Sequence, residues 1–311
     1  MAGFDIVGDV HGQAGALARL LDKLGYDDWG HHPEKRRAVF VGDLNDKGPD
    51  SFAVTARVKA WVEAGRAHAV LGNHELNAVA WNVPAPGGGW LRAHSNANRR
   101  QHASHLAQAR RDPWTYREHL AFYRRLPTHL DADGFGGDFR VVHACWHAES
   151  VAVLESELDG PLSDADMARL YAADDPLSEA RRLALNAPEV PLPKSLHYRD
   201  AQGKLRRRAR MKWWAPDGAS LAELCLFSGG AEPPKRDLKA LRLRQPKRRI
   251  RYTGGVPVFF GHYHLRAKPK LTSARAICTD FGAGSGRWLA AYRWSGGVVS
   301  DANWTRVKVA S

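Results

Sequence analysis

Within the first 75 residues, three short apolar runs each break off at a glycine followed at once by a polar residue. Phe4-Asp5-Ile6-Val7 ends in Gly8-Asp9, Ala38-Val39-Phe40-Val41 in Gly42-Asp43, and Ala67-His68-Ala69-Val70-Leu71 in Gly72-Asn73. A short apolar run bounded by a turn residue predicts a buried strand. Between the first two runs, Leu17, Leu20, Leu21 and Leu24 recur at the spacing of one helical face, and Gly25 supplies the stop. A helix over 51–63 fills the second interval. Strands that alternate with helices need crossover connections, so they pair in parallel within an α/β fold. Such a fold carries the polar residue after each strand to the carboxyl edge of the sheet, where open α/β sheets place their sites. Two later runs end in the same way: Arg140-Val141-Val142 at His143, and Val256-Pro257-Val258-Phe259-Phe260 at Gly261-His262-Tyr263-His264. Elsewhere, 94–125 predicts a polar helix, 164–173 and 176–186 shorter helices, and 276–309 short antiparallel strands with glycine turns.

With 44% hydrophobic residues in 311, the chain can bury a sizeable core, which excludes global disorder. No apolar run reaches the roughly 18 residues of a membrane span, and the N-terminus has neither the basic nor the apolar segment of a leader. A cytoplasmic chain with no membrane partner is expected. Cys145, Cys225 and Cys278 cannot build a disulfide framework and fit no zinc ribbon, so buried thiols are expected.

The five strand ends collect carboxylates, amides and imidazoles: Asp9 and His11; Asp43, Asn45 and Asp46; Asn73, His74 and Glu75; His143; His262 and His264. Together these donors suit a borderline divalent ion such as manganese, iron, cobalt, nickel or zinc. Their order is Gly8-Asp9-Val10-His11-Gly12, then Gly42-Asp43-Leu44-Asn45-Asp46-Lys47-Gly48, then Gly72-Asn73-His74-Glu75, then two later histidines. In this the chain resembles the calcineurin-like metallophosphoesterases and, within them, the phosphoprotein phosphatase branch. The motifs cover 8–75 closely. His143 and His262 rest on the short contexts Val-Val-His-Ala and Phe-Gly-His, and no motif aligns to 80–135 or 150–250.

The resemblance implies a four-layer α/β/β/α sandwich over 1–311, two mixed sheets face to face with helices outside. Cap segments would be inserted at 84–127 and 150–250, the latter forming a lid on the metal face. It implies two divalent ions, manganese first, with iron, zinc, cobalt or nickel as alternatives. Asp9 and His11 would hold one ion, Asn73, His143 and His262 the other, and Asp43 both, with His264 a further ligand of the first. A metal-bridged hydroxide would attack phosphorus in line. His74 would protonate the leaving oxygen with Asp46 orienting it, and Glu75 would be a supporting carboxylate.

One departure bears on substrate. The protein phosphatase motif ends Asp-Arg-Gly, whereas this chain has Asp46-Lys47-Gly48 before Pro49-Asp50-Ser51. Lysine binds phosphate as a point charge, without the bidentate fork of arginine. This form is closer to the diadenosine tetraphosphatase-like phosphatases, so a dinucleoside polyphosphate or another nucleotide is expected as substrate, with a phosphoprotein as the other option. Of the net charge of +13, residues 201–251 supply +11, from 15 Lys and Arg against 4 Asp and Glu. The runs are Arg206-Arg207-Arg208, Arg210, Lys212, Lys247-Arg248-Arg249 and Arg251. Arg208, Arg210 and Lys212 alternate as on one face of a strand and are expected to bind phosphate alongside Lys47. The same segment, with Trp213 and Trp214, motivates nucleic acid as a partner and an RNA or DNA end-processing phosphatase or cap pyrophosphatase as the alternative function. An inactive phosphatase-like binding module is the remote alternative, opposed by retention of every expected ligand type. His94, His102, His105 and His119 repeat no ligand spacing and are expected on a solvated helical cap.

Overall fold

The computed structural model describes residues 3–199, 205–216, 218–227 and 250–309. In chain order the elements are β1 (Phe4–Val7), α1 (Ala14–Leu24), β2 (Arg37–Phe40), α2 (Ser51–Glu63), β3 (Ala67–Ala69), α3 (Asn73–Trp81), α4 (Asn96–Gln101), α5 (Ala103–Arg111), α6 (Pro113–Arg125), β4 (His129–Asp131), β5 (Arg140–Val142), α7 (Ala148–Glu157), α8 (Asp164–Tyr171) and α9 (Pro176–Asn186). They continue with β6 (Glu189–Pro191), β7 (Tyr198–Arg199), β8 (Leu205–Arg206), β9 (Arg208–Met211), α10 (Leu221–Leu224), β10 (Cys225–Leu226), β11 (Val258–Phe260), β12 (Ala276–Cys278), β13 (Trp288–Trp294) and β14 (Trp304–Lys308). The chain divides into two compact units, Met1–Asn186 with Gly255–Ser311, and Ala187–Gly254.

The first unit is the α/β sandwich. One sheet runs β14-β13-β1-β2-β3 and the other β12-β11-β5-β4. In the first, β1, β2 and β3 pair in parallel, as the helices between them require, while β13 and β14 return antiparallel. In the second, β5, β11 and β12 are parallel and β4 is antiparallel. The strands are short and buried on both sides, so they carry continuous apolar residues. Phe4, Ile6, Val39 and Val41 of one sheet join Val141, Phe259 and Ile277 of the other in one cluster. Phe139 closes on Phe4 at 5.0 Å and on Phe259 at 5.8 Å, ring edge to face. Each such side chain, fully buried, stabilises by about 1.5–3 kcal/mol, which is what holds the sheets face to face. Outside, α1 buries Leu17, Leu20, Leu21 and Leu24, and α2 starts where Asp50 accepts the N–H of Ala53 at 2.9 Å.

Three stretches differ from the sequence expectation. The helix over 94–125 is three helices, broken at His102 and again where Asp112 caps Thr115 with Pro113 in the first turn. The tail is antiparallel only in β13 and β14, because β12 joins β11 in parallel. The stretch 150–250 divides between the units: α7, α8 and α9 belong to the first, whereas 187–254 has its own small core of Val190, Leu192, Ala209, Met211 and Cys225. All three cysteines are buried. Among the described residues no helix is long and apolar enough to cross a membrane.

Candidate active site

The carboxyl ends of β1, β2, β5, β11 and β12 and the amino end of α3 converge in the first unit. Of eight non-glycine residues with positive φ among the described residues, six lie here: His11, Asp43, Asp46, Lys47, His262 and His264. Left-handed backbone costs a residue with a side chain, and such costs concentrate where side chains must be aimed. Asp and His tolerate it better than most residues. Close packing fixes two glycines. A Cβ on Gly72 would lie 2.5 Å from both Asp43 Oδ1 and Glu75 Oε2, and one on Gly261 would collide with Asp9 Oδ1.

Asp43 stands between two donor groups, His11 with His74 and His143 with His262. Its Oδ2 lies 3.5 Å from His11 Nε2 and its Oδ1 3.3 Å from His143 Nε2. His143 Nδ1 lies 2.8 Å from the Val41 carbonyl, which only accepts, so Nδ1 carries the proton. The Nε2 lone pair of neutral His143 then faces Asn73 Oδ1 at 3.0 Å and Asp43 Oδ1 at 3.3 Å. Asn73 Oδ1 meets His262 Nδ1 at 2.8 Å as well. At His143 Nε2 a lone pair facing two acceptor oxygens needs either a proton or a cation there; burial opposes the proton, but Asp43 and the Val41 carbonyl outweigh it and draw the pKa of His143 up, so this position attracts positive charge. Burial likewise pushes Asp43 up, but His143, His74 and His11 outweigh it and hold this carboxyl well below its usual range. This donor set fits a divalent ion of the oxygen and nitrogen class.

The other side of Asp43 carries more negative charge. Burial, then Asp280 and Asp43, push Asp9 well above the usual carboxylate range, which is the signature of carboxylates crowded without a counter-ion. His11 Nδ1 donates to the Asn45 carbonyl at 3.1 Å, leaving Nε2 as the lone pair. The Lys47 ammonium meets that lone pair at 2.7 Å and His264 Nε2 at 3.0 Å. One cation thus already bridges His11 and His264, which brings His264 into the group beside His11. Lys47 is exposed at the rim of the site, with its ammonium turned to these two imidazoles. Asp280, not singled out in the sequence, holds this loop by accepting the His264 N–H at 2.6 Å and the Gly282 N–H at 2.9 Å. The signal for it was present: Ala276-Ile277-Cys278 is one more apolar run ending in an aspartate and a glycine.

His74 Nδ1 bonds Asp46 Oδ2 at 2.6 Å, which leaves Nε2 facing Asp43 Oδ2 at 3.9 Å and Gln101 Nε2 at 3.5 Å. His102 Nδ1 approaches the same oxygen at 2.6 Å, off the axis of a linear hydrogen bond. Burial opposes the Asp46 charge, yet His102 and His74 hold its pKa far below the usual range, so it is an anion. The solvated histidine cap is therefore corrected. His102, His105 and His119 are buried against Asp46, Phe52 and Tyr123, and His94 stacks on Trp81 at 3.7 Å. Their helices turn the imidazoles inward, where they pack as aromatic rings. Glu75 accepts four backbone N–H groups, from Asp43 at 2.7 Å, Leu44 at 2.9 Å, Gly72 at 3.0 Å and Asn45 at 3.2 Å. It fixes the loop that carries Asp43 and Asp46 to the start of α3.

Arg208, Arg210 and Lys212 belong to the second unit. Arg208 and Arg210 lie on β9, Lys212 directly follows it, and Arg208 Nε lies 3.4 Å from Glu189. Trp213 is buried there, which removes it as an exposed platform for a base, and Lys247-Arg248-Arg249 lie outside the described residues.

The calcineurin-like phosphoesterase model matches residues 3–179, more than half of the chain. The chain belongs to the calcineurin-like phosphoesterases. Members of this family hydrolyse phosphoester bonds and use divalent metals. Over 74 residues this phosphoesterase is 47% identical to the bis(5'-nucleosyl)-tetraphosphatase PrpE of Halalkalibacterium halodurans, a match spanning 23% of this chain and 30% of that protein. PrpE of Bacillus subtilis is 40% identical over 74 residues, with 23% and 30% covered. The chain therefore spans less than a third of the length of these curated relatives. A serine/threonine protein phosphatase structure from Saccharomyces cerevisiae aligns over 100% of this chain and 80% of its own, with 14% identity and a TM-score of 0.48.

Proposed function

We propose that this phosphoesterase cleaves a phosphoanhydride bond of a dinucleoside polyphosphate with two divalent ions held on either side of Asp43. The observation that carries the reading is the single carboxylate shared by two donor groups, His11 on one side and His143 with His262 on the other. Asp9, His11 and His264 would hold the first ion, Asn73, His143 and His262 the second, and Asp43 both. When bound, a pair of ions in such a site supplies a hydroxide nucleophile near neutral pH and neutralises the phosphoryl oxygens.

The remaining steps belong to the chain. The Asp46 anion keeps the proton on His74 Nδ1, so the imidazolium gives up its Nε2 proton to the leaving oxygen. Lys47, whose ammonium stands beside His11 Nε2, would offer the phosphoryl group a point charge. The net charge of +13 favours a polyanionic substrate. The relatives named as tetraphosphatases support the polyphosphate substrate, as does lysine in place of the arginine fork.

The test is a panel. Protein stripped with a chelator and then reloaded with manganese is offered a dinucleoside tetraphosphate, phosphopeptides and capped RNA. The reading expects no turnover when stripped, recovery with manganese, and the highest kcat/KM on the tetraphosphate. Turnover confined to phosphopeptides or capped RNA would overturn the substrate, and metal-independent turnover would overturn the mechanism.

A further inference from the structure

The first unit holds two half-buried arginines, Arg92 and Arg181, with which no carboxylate among the described residues forms an ion pair. Arg92 Nη2 donates to Gln101 Oε1 at 2.6 Å, its Nε is buried without a partner, and its backbone N–H is tied to Ala80 of α3 at 3.0 Å. Arg181 donates to the Leu170 carbonyl at 3.1 Å and Asn186 Oδ1 at 2.9 Å, and its guanidinium lies 4.8 Å from the Tyr171 ring centroid. Tyr171 in turn donates to Asn77 Oδ1 at 3.0 Å, one helical turn beyond His74 on α3. Every one of these partners is neutral.

The carboxylates whose charge reaches the pair are engaged elsewhere. Asp46 is taken by His74 and His102, and Glu179 is gripped by Arg182 at 2.6 and 2.7 Å. Burial lowers the pKa of both guanidiniums, and at Arg181 the charges of Arg182 and Arg92 lower it further. A guanidinium offers five N–H donors, and the bonds described use one on Arg92 and two on Arg181. Two partly desolvated cations with spare donors are matched by an anion with several acceptor oxygens.

Their place says which anion. His74 Nδ1 faces Asp46, so Nε2 is the atom that meets the leaving oxygen, and Gln101 Nε2 stands 3.5 Å from it with Arg92 directly behind. A group bonded to the leaving oxygen would face Gln101, which Arg92 holds, while Arg181 reaches the same helix α3 through Tyr171 and Asn77. In a phosphoserine ester that group is a neutral carbon, whereas in a phosphoanhydride it is another phosphate. We infer that Arg92 and Arg181 form an anion subsite on the leaving-group side of His74, for the phosphate next to the scissile bond of a polyphosphate chain. The inference rests on the hydrolase reading above and deepens it, because it makes the subsite the source of selectivity for anhydrides over esters.

Manganese-loaded wild type, Arg92→Gln, Arg181→Gln and Arg92→Lys are compared on a dinucleoside tetraphosphate and on p-nitrophenyl phosphate. The ratio of the two kcat/KM values should fall at least tenfold in each glutamine variant, and Arg92→Lys should keep most of it. A ratio within twofold of wild type in both glutamine variants would overturn the subsite, since a merely structural role lowers both activities together. Binding of inorganic tripolyphosphate, measured by calorimetry without added metal, separates this from the hydrolase reading. The double glutamine variant should bind at least tenfold more weakly than wild type, and equal binding overturns the subsite. Should wild type hydrolyse neither substrate, the hydrolase reading fails and the calorimetry alone decides the subsite.

Discussion

Asp43→Asn should lower kcat/KM by about 10³-fold or more and strip at least one metal ion from the protein, the scale expected when a buried charge shared by several partners is removed. The substitution keeps the shape of the side chain but exchanges one oxygen for an NH2 group. Asp43 now turns Oδ1 to His143, Oδ2 to His11, and accepts the His74 N–H at 3.0 Å. No orientation of an amide serves both sides: whichever side receives the NH2 presents a donor where a cation must sit. The measurements are steady-state kinetics and elemental analysis of the same preparation. A variant with two ions and near wild-type turnover would take Asp43 out of the centre.

His74→Ala should retain both ions and yet slow turnover by roughly 10²–10⁴-fold, the usual contribution of a positioned general acid. Its role is testable through the leaving group. Nε2 is the ring nitrogen left on the Asp43 side, because Asp46 holds Nδ1 at 2.6 Å. A p-nitrophenolate leaves without needing a proton, whereas an alkoxide does not, so the loss should be small on p-nitrophenyl phosphate and large on an alkyl phosphate. Equal losses on both would show that the imidazole acts by binding or by holding Asp46, not by giving up a proton, since the alanine keeps the backbone N–H that Asp43 accepts.

The parts of this site legible in the sequence are those within a few residues of a strand end. Asp9, Asp43, Asn73, His143 and His262 each follow a run of buried apolar residues, and the glycine in four of the five contexts marks where the chain turns. Local periodicity finds the strand and topology then carries its end to the site, so no long-range information is needed. Asp280 obeys the same rule and was hidden only because the strands after it are antiparallel, which led the whole tail to be read one way. His102 was illegible for another reason. Imidazole is polar by composition but packs as a ring, so α5 and α6 read as solvated while His105 and His119 are buried. Arg92 lies in a loop with no periodicity, and its position depends on the backbone bond to Ala80 and on Gln101, neither of which leaves a pattern. The second unit escaped because its core is assembled from strands of two to four residues, too short for an alternation to stand out.

Asp43 is proposed to be shared by two ions. The most direct measurement is anomalous diffraction from crystals of the protein loaded with manganese. Two peaks about 3.5–4 Å apart are expected, one on each side of the Asp43 carboxylate, with His11 and His264 on the first and Asn73, His143 and His262 on the second. A single peak, or a peak seated only among Asp46, His74 and His102, would contradict it.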